Sequence, residues 1–158
     1  TVRQERGRRK HVVGVRGRLG LVDSYSRDVP VFERFYAGGF STLRGFEFEG
    51  VSPSDPATGA QIGGESMLLG SVEYSFPLSE EAGVRLVTFC DAGYVSEEVG
   101  DIFTGWDELR LSVGAGIRWQ VAYFGPLVVE FDLAAPLLRE SDDETQAYHF
   151  SFGLRQAF

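Results

Sequence analysis

Six segments of this chain alternate apolar and polar residues with a period of two, each over about 10 to 13 residues. Successive side chains of a strand point to opposite faces. Each segment therefore builds a ribbon that is oily on one side and wet on the other. Leu109–Val121 is the cleanest case: Leu109, Leu111, Val113, Ala115, Ile117, Trp119 and Val121 share one face, and Arg110, Ser112, Gly114, Gly116, Arg118 and Gln120 the other. The remaining segments are His11–Val22, Met67–Phe76, Arg85–Val95, Leu127–Leu137 and Tyr148–Phe158. In Arg85–Val95 the pattern is impure, because Val87 and Phe89 fall on the parity of Arg85 and Asp91.

Length separates two ways of using such ribbons. A half-exposed sheet in water produces the same parity, but its strands usually run to about 5–6 residues. A tilted membrane-spanning strand needs roughly 9–11. The oily faces carry no Asp, Glu, Lys or Arg, whereas Arg16, Arg18, Glu73, Arg85, Asp91, Arg110, Arg118, Glu130, Asp132 and Arg155 lie on the opposite ones. An Arg or Lys facing mid-membrane lipid costs about 2–4 kcal/mol, and this sorting avoids that cost. Tyr74, Phe76, Tyr94, Trp119, Tyr123, Phe124, Tyr148 and Phe158 lie near segment ends, where interfacial aromatic girdles belong. Connections alternate between long (Asp23–Ser66, about forty residues) and short (Pro77–Gly83), as in outer-membrane barrels. The expected fold is all-β: a portion of an antiparallel transmembrane β-barrel with about six strands.

Other classes find little support. A net charge of −8 argues against a nucleic-acid partner, which would want a basic stripe. Cys90 is the sole cysteine, so no internal disulfide framework exists. No run reaches the roughly 18 apolar residues of a membrane helix. No leader-like segment opens the chain, so a longer protein is expected. His11 and His149 have no metal-ligand spacing. Gly114-Ala115-Gly116 lacks the third glycine and the helix of a dinucleotide site and reads as strand glycine. Asp142-Asp143-Glu144 reads as a solvated acidic loop. The expectation is a non-enzyme with no cofactor and no metal.

The long connection carries the most distinctive segment, Phe32-Glu33-Arg34-Phe35-Tyr36-Ala37-Gly38-Gly39-Phe40-Ser41-Thr42-Leu43-Arg44-Gly45-Phe46. Gly50-Val51-Ser52-Pro53, Ile62-Gly63-Gly64, Gly70-Ser71-Val72-Glu73-Tyr74, Phe76-Pro77-Leu78, Asp91-Ala92-Gly93, Gly125-Pro126-Leu127 and Phe150-Ser151-Phe152-Gly153 follow in order. Together they resemble the BamA, or bacterial surface antigen, outer-membrane assembly superfamily over nearly the whole chain after His11.

The resemblance implies a sixteen-stranded barrel of which residues 1–158 are the last six strands, with upstream strands and periplasmic domains outside this sequence. It implies that the long loop folds into the lumen and sets its tip, Leu43-Arg44-Gly45-Phe46, against the inner wall. Arg44 would pair there with Glu73 and Asp91, with Gly38 and Gly39 at the loop's base. Phe150, Phe152 and Phe158 resemble the C-terminal strand signal by which outer-membrane proteins are recognised. The implied location is the bacterial outer membrane with the C-terminus periplasmic. The implied function is folding and insertion of β-barrel proteins. Its partners would be outer-membrane lipid, unfolded outer-membrane clients and accessory lipoproteins that bind the upstream domains. A secretion transporter of the same superfamily and a barrel anchoring an N-terminal enzyme domain share these motifs; an unrelated soluble β module is the remaining alternative.

Overall fold

A computed structural model describes residues 11–24, 28–121 and 127–154, and the side chains of 102 and 150–154 are not among those described. Six strands follow the alternating segments: β1 (Val12–Leu21), β3 (Ser66–Ser79), β4 (Val84–Ser96), β5 (Arg110–Val121), β6 (Leu127–Leu138) and β8 (Tyr148–Leu154). They form one antiparallel sheet in the order β1-β3-β4-β5-β6-β8, each strand beside its predecessor. Two short strands, β2 (Gly45–Phe46) and β7 (Thr145–Gln146), pair with each other outside that sheet.

The register carries the sequence parity across the sheet. One row runs Val15↔Val72↔Cys90↔Val113↔Ala135, all from the oily parity. The neighbouring row on the other face runs Arg16↔Ser71↔Asp91↔Ser112↔Pro136. Val15 is 77% exposed, and Val13, Leu19, Val72, Ile117, Trp119, Phe131, Leu133 and Tyr148 are exposed with it. Asp91, Arg110, Ser112, Arg118 and Asp132 are buried. Oily side chains outside and ionic ones inside is the inverse of a water-soluble sheet, and it is what a lipid-facing wall requires.

The inner face is covered by the connection between β1 and β3. Bridges Phe35↔Gly64, Ala37↔Val51 and Ser54↔Gln61 fold that connection on itself. Ala37, Leu43, Phe46 and Val51 then pack with Met67, Leu69 and Val95 of the wall into a small apolar core. This explains the impurity of the third segment. Val87 and Phe89 share the charged parity because they are inward-facing and buried rather than lipid-facing. Tyr94 departs from its expected place near the interface. It is buried, with its ring 6.1 Å from that of Trp106 in the β4–β5 connection.

Two prolines sit inside strands at irregularities of the ladder. The β3–β4 register shifts between Pro77 and Ser79, and the β5–β6 register shifts beside Pro136. Proline cannot donate to a ladder, so bulges are where strands tolerate it.

Candidate functional site

The site begins with a glycine. Gly45 has φ +95, a left-handed conformation that favours glycine. A Cβ there would lie 3.2 Å from Ser112 Cβ and 3.5 Å from both Ala134 Cβ and the Pro136 nitrogen. The loop tip thus lies flat on the β5–β6 wall, where a side chain would hold it off. Leu43 and Phe46 flank the tip and are fully buried, which anchors it from both sides. Gly38 and Gly39, at φ +108 and +86, fold the loop's base.

The tip places Arg44, 3% exposed, at the centre of a carboxylate cage. Its Nε donates to Asp91 Oδ2 at 2.7 Å and its Nη2 to Asp91 Oδ1 at 2.9 Å, the two-pronged geometry that suits guanidinium and carboxylate. The Arg44 backbone amide also donates to Asp91 Oδ2, at 3.3 Å. Nη1 donates to Glu73 Oε2 at 3.1 Å and to Asp132 Oδ2 at 3.2 Å. Nη2 reaches Ser71 Oγ at 3.3 Å, and Ser71 donates to Asp91 Oδ1 at 2.6 Å. The guanidinium carbon sits 3.4 Å from the centroid of the Phe89 ring, a cation–π contact with a desolvated cation.

A second arginine completes the cluster. Arg118 grips both oxygens of Asp132, with Nη2 donating to Oδ2 at 2.9 Å. Its Nε stands 3.0 Å from Glu130 Oε2, at ion-pair distance but without hydrogen-bond alignment. Its Nη2 lies 3.6 Å from Glu73 Oε2. Asp132 and Glu73 therefore bridge the two arginines. Buried charges persist only when paired and hydrogen-bonded in this way. Two strand glycines make the room: a Cβ on Gly116 would meet Asp132 Oδ1 at 1.7 Å, and one on Gly114 would meet the Phe89 ring at 2.3 Å.

The connection from β6 to β8 holds the loop from above. Asp143 and Glu140 pair with Arg110 of β5. Asp142 accepts from Ser54 Oγ at 2.5 Å, and its backbone carbonyl accepts from Gln61 Nε2 at 3.3 Å. Glu144 exchanges backbone hydrogen bonds with Glu47 and Gly50. Asp142 and Glu144 are exposed, as a solvated acidic loop requires, while the Asp143 side chain departs from that reading and is buried against Arg110. The described residues contain no His, Cys, Asp and Glu grouping that could hold a metal ion.

Both expected partners, Glu73 and Asp91, contact Arg44. Asp132, Ser71, Phe89 and Arg118 also belong to the cluster and were not expected as its members. Parity had placed Asp132 and Arg118 on the inner face, which is the one signal the sequence offered. Phe150 and Phe152 lie in β8, with side chains outside the description, and Phe158 lies outside the described residues.

The comparisons with known proteins agree with this fold. The Omp85 superfamily domain matches residues 6–158. A relative from Nitratidesulfovibrio vulgaris (strain Hildenborough), named outer membrane protein assembly factor BamA, is 38% identical over 149 residues, 94% of this chain and 18% of its own length. The BamA of Neisseria meningitidis serogroup B is 29% identical over 167 residues, covering 87% of this chain and 21% of its own length. The chain thus spans about a fifth of these relatives. A crystal structure of BamA from Haemophilus ducreyi lacking POTRA domains 1–3 superposes with a TM-score of 0.73 at 25% identity, over 89% of this chain and 31% of that one. With a lipid-type outer face, a loop pinned to the inner wall and a family match over residues 6–158, the chain belongs to the Omp85 superfamily, as a six-stranded portion of its β-barrel.

Proposed function

We propose that this chain is the loop-bearing wall of a protein that folds and inserts β-barrel clients into the bacterial outer membrane, without covalent chemistry, nucleotide or cofactor. The observation that carries this reading is the seated loop. A caged Arg44 fixes a connection of about forty residues across the inner face, in a chain whose named relatives are assembly factors. Those names favour assembly over secretion or enzyme anchoring.

On this reading residues 1–158 are the C-terminal part of a longer barrel domain. The outer edges of β1 and β8, which end the sheet, take strands from elsewhere in the protein or from a client. Edge pairing is a sequence-tolerant way to template a new strand, because backbone hydrogen bonds supply the affinity. A periplasmic C-terminus is part of this reading, supported by the short β3–β4 turn and the longer connections at the opposite end, since outer-membrane barrels keep short turns on the periplasmic side. Clients, lipid and accessory lipoproteins acting through upstream periplasmic domains are the partners.

The test is Arg44→Ala in the full-length protein, expressed in cells depleted of the native copy. Slower appearance of folded porins in the outer membrane is the expected result. Unaltered client assembly together with unaltered barrel heat-resistance would count against the proposal.

A further inference from the structure

The loop tip is fastened to more than the wall. The Gly45 backbone N–H donates to His149 Nε2 at 2.9 Å, and His149 is a β8 residue, 5% exposed. An acceptor Nε2 leaves the ring proton on Nδ1, so the ring is a neutral imidazole. Immediately before β8, β7 pairs with the tip itself: Gly45↔Gln146 and Phe46↔Thr145. Immediately before β7, Glu144 exchanges backbone hydrogen bonds with Glu47 and Gly50. The contacts are consecutive on both segments, so residues 144–149 zip along 45–50 like a strap.

The strap also decides where β8 leaves its neighbour. β6 and β8 pair from Leu127↔Leu154 to Leu133↔Tyr148, and Ala134 N–H then bonds Ala147 O. Beyond that point β6 continues to Leu138 beside β5, while the segment before β8 turns inward to meet the loop. His149 stands at the branch, opposite Asp132, which is itself a member of the Arg44 cage.

From this juxtaposition we propose that His149 is a positioning residue which latches the loop tip to the last strand. The seating of Arg44 and the placement of β8 then form one coupled equilibrium. Moving the outer half of β8 must break the Gly45–His149 bond or drag the tip with it. Its bearing on client insertion rests on the function proposed above; the latch does not, and the two fail separately in the experiment below.

The experiment uses the full-length protein in lipid nanodiscs and follows amide exchange in the segments 43–48 and 144–149. His149→Leu removes the acceptor, and His149→Gln restores one at similar reach. Stranding a buried donor corresponds to about tenfold faster opening or more. We expect that acceleration in both segments for the Leu variant, and near-native exchange for Gln. Unchanged exchange in Leu, or Gln as fast as Leu, overturns the latch. Should the Leu variant fail to give a heat-resistant barrel, His149→Asn takes its place. Asn is one bond too short to reach Gly45, and equal exchange in Asn and Gln overturns the latch. Client insertion, measured on the same proteins, should slow with Leu or Asn and recover with Gln. Loosened segments with full-speed insertion would overturn the link to insertion and leave the Arg44 test standing.

Discussion

Arg44 and Asp91 stand 47 residues apart in the chain and share three hydrogen bonds, two between side chains and one from the Arg44 backbone amide. Each is charged and buried. Removing one member of such a pair costs about 3–5 kcal/mol, because the remaining charge is stranded. Asp91→Ala and Arg44→Met should therefore each lower the unfolding midpoint of the full-length barrel in detergent. The double variant should lose less than the sum, since it strands fewer charges. Additive losses would mean that the two residues do not share an interaction.

Gly116 should tolerate nothing larger. A methyl there occupies the position of Asp132 Oδ1, 1.7 Å away, and must push that carboxylate off both arginines. Gly17 is the matched control, with nothing within 4 Å of an added Cβ. We expect Gly116→Ala to destabilise the barrel by a few kcal/mol, in the range of a broken buried network, and Gly17→Ala by about 0.5 or less. Heat-modifiability on gels reads both.

The fold was legible because lipid enforces parity harder than water does. One misplaced charge on an outer face is expensive, so β5 reads cleanly from Arg110 to Val121. The ends were less so. Pro77 looked like the end of a strand, yet β3 continues through a bulge to Ser79. The impurity at Val87 and Phe89 carried information that alternation alone could not release, since only a docked loop makes oily inner residues sensible. Within the site, Arg44, Glu73 and Asp91 came from motif and parity. Asp132, Arg118 and His149 reach the same point through strand register, which places Gly116, Asp132 and His149 side by side. Register is a tertiary property with no local signature in the chain.

The β6–β8 connection should loosen in acid through Asp142. The Ser54 hydroxyl that donates to it holds its carboxyl below the usual carboxylate range. A depressed folded value means the contact stabilises above the unfolded pKa, near 3.9, and that this contribution is lost as pH falls through the folded value. Protease sensitivity of segment 139–147 should be level from pH 8 to 5 and rise only below about 4. A rise between pH 7 and 5 would point to another group.

Cys90 offers the most direct test of the lipid-facing wall. It lies on the outer row between Val72 and Val113 and is exposed. A nitroxide attached there in the membrane-embedded full-length protein, with any other cysteines replaced, reports its surroundings by collision. A lipid-facing wall predicts strong relaxation by dissolved oxygen and little by a water-soluble nickel chelate, with the reverse for a label placed at Arg16. A label at Cys90 that meets the nickel chelate as readily as one at Arg16 would contradict it.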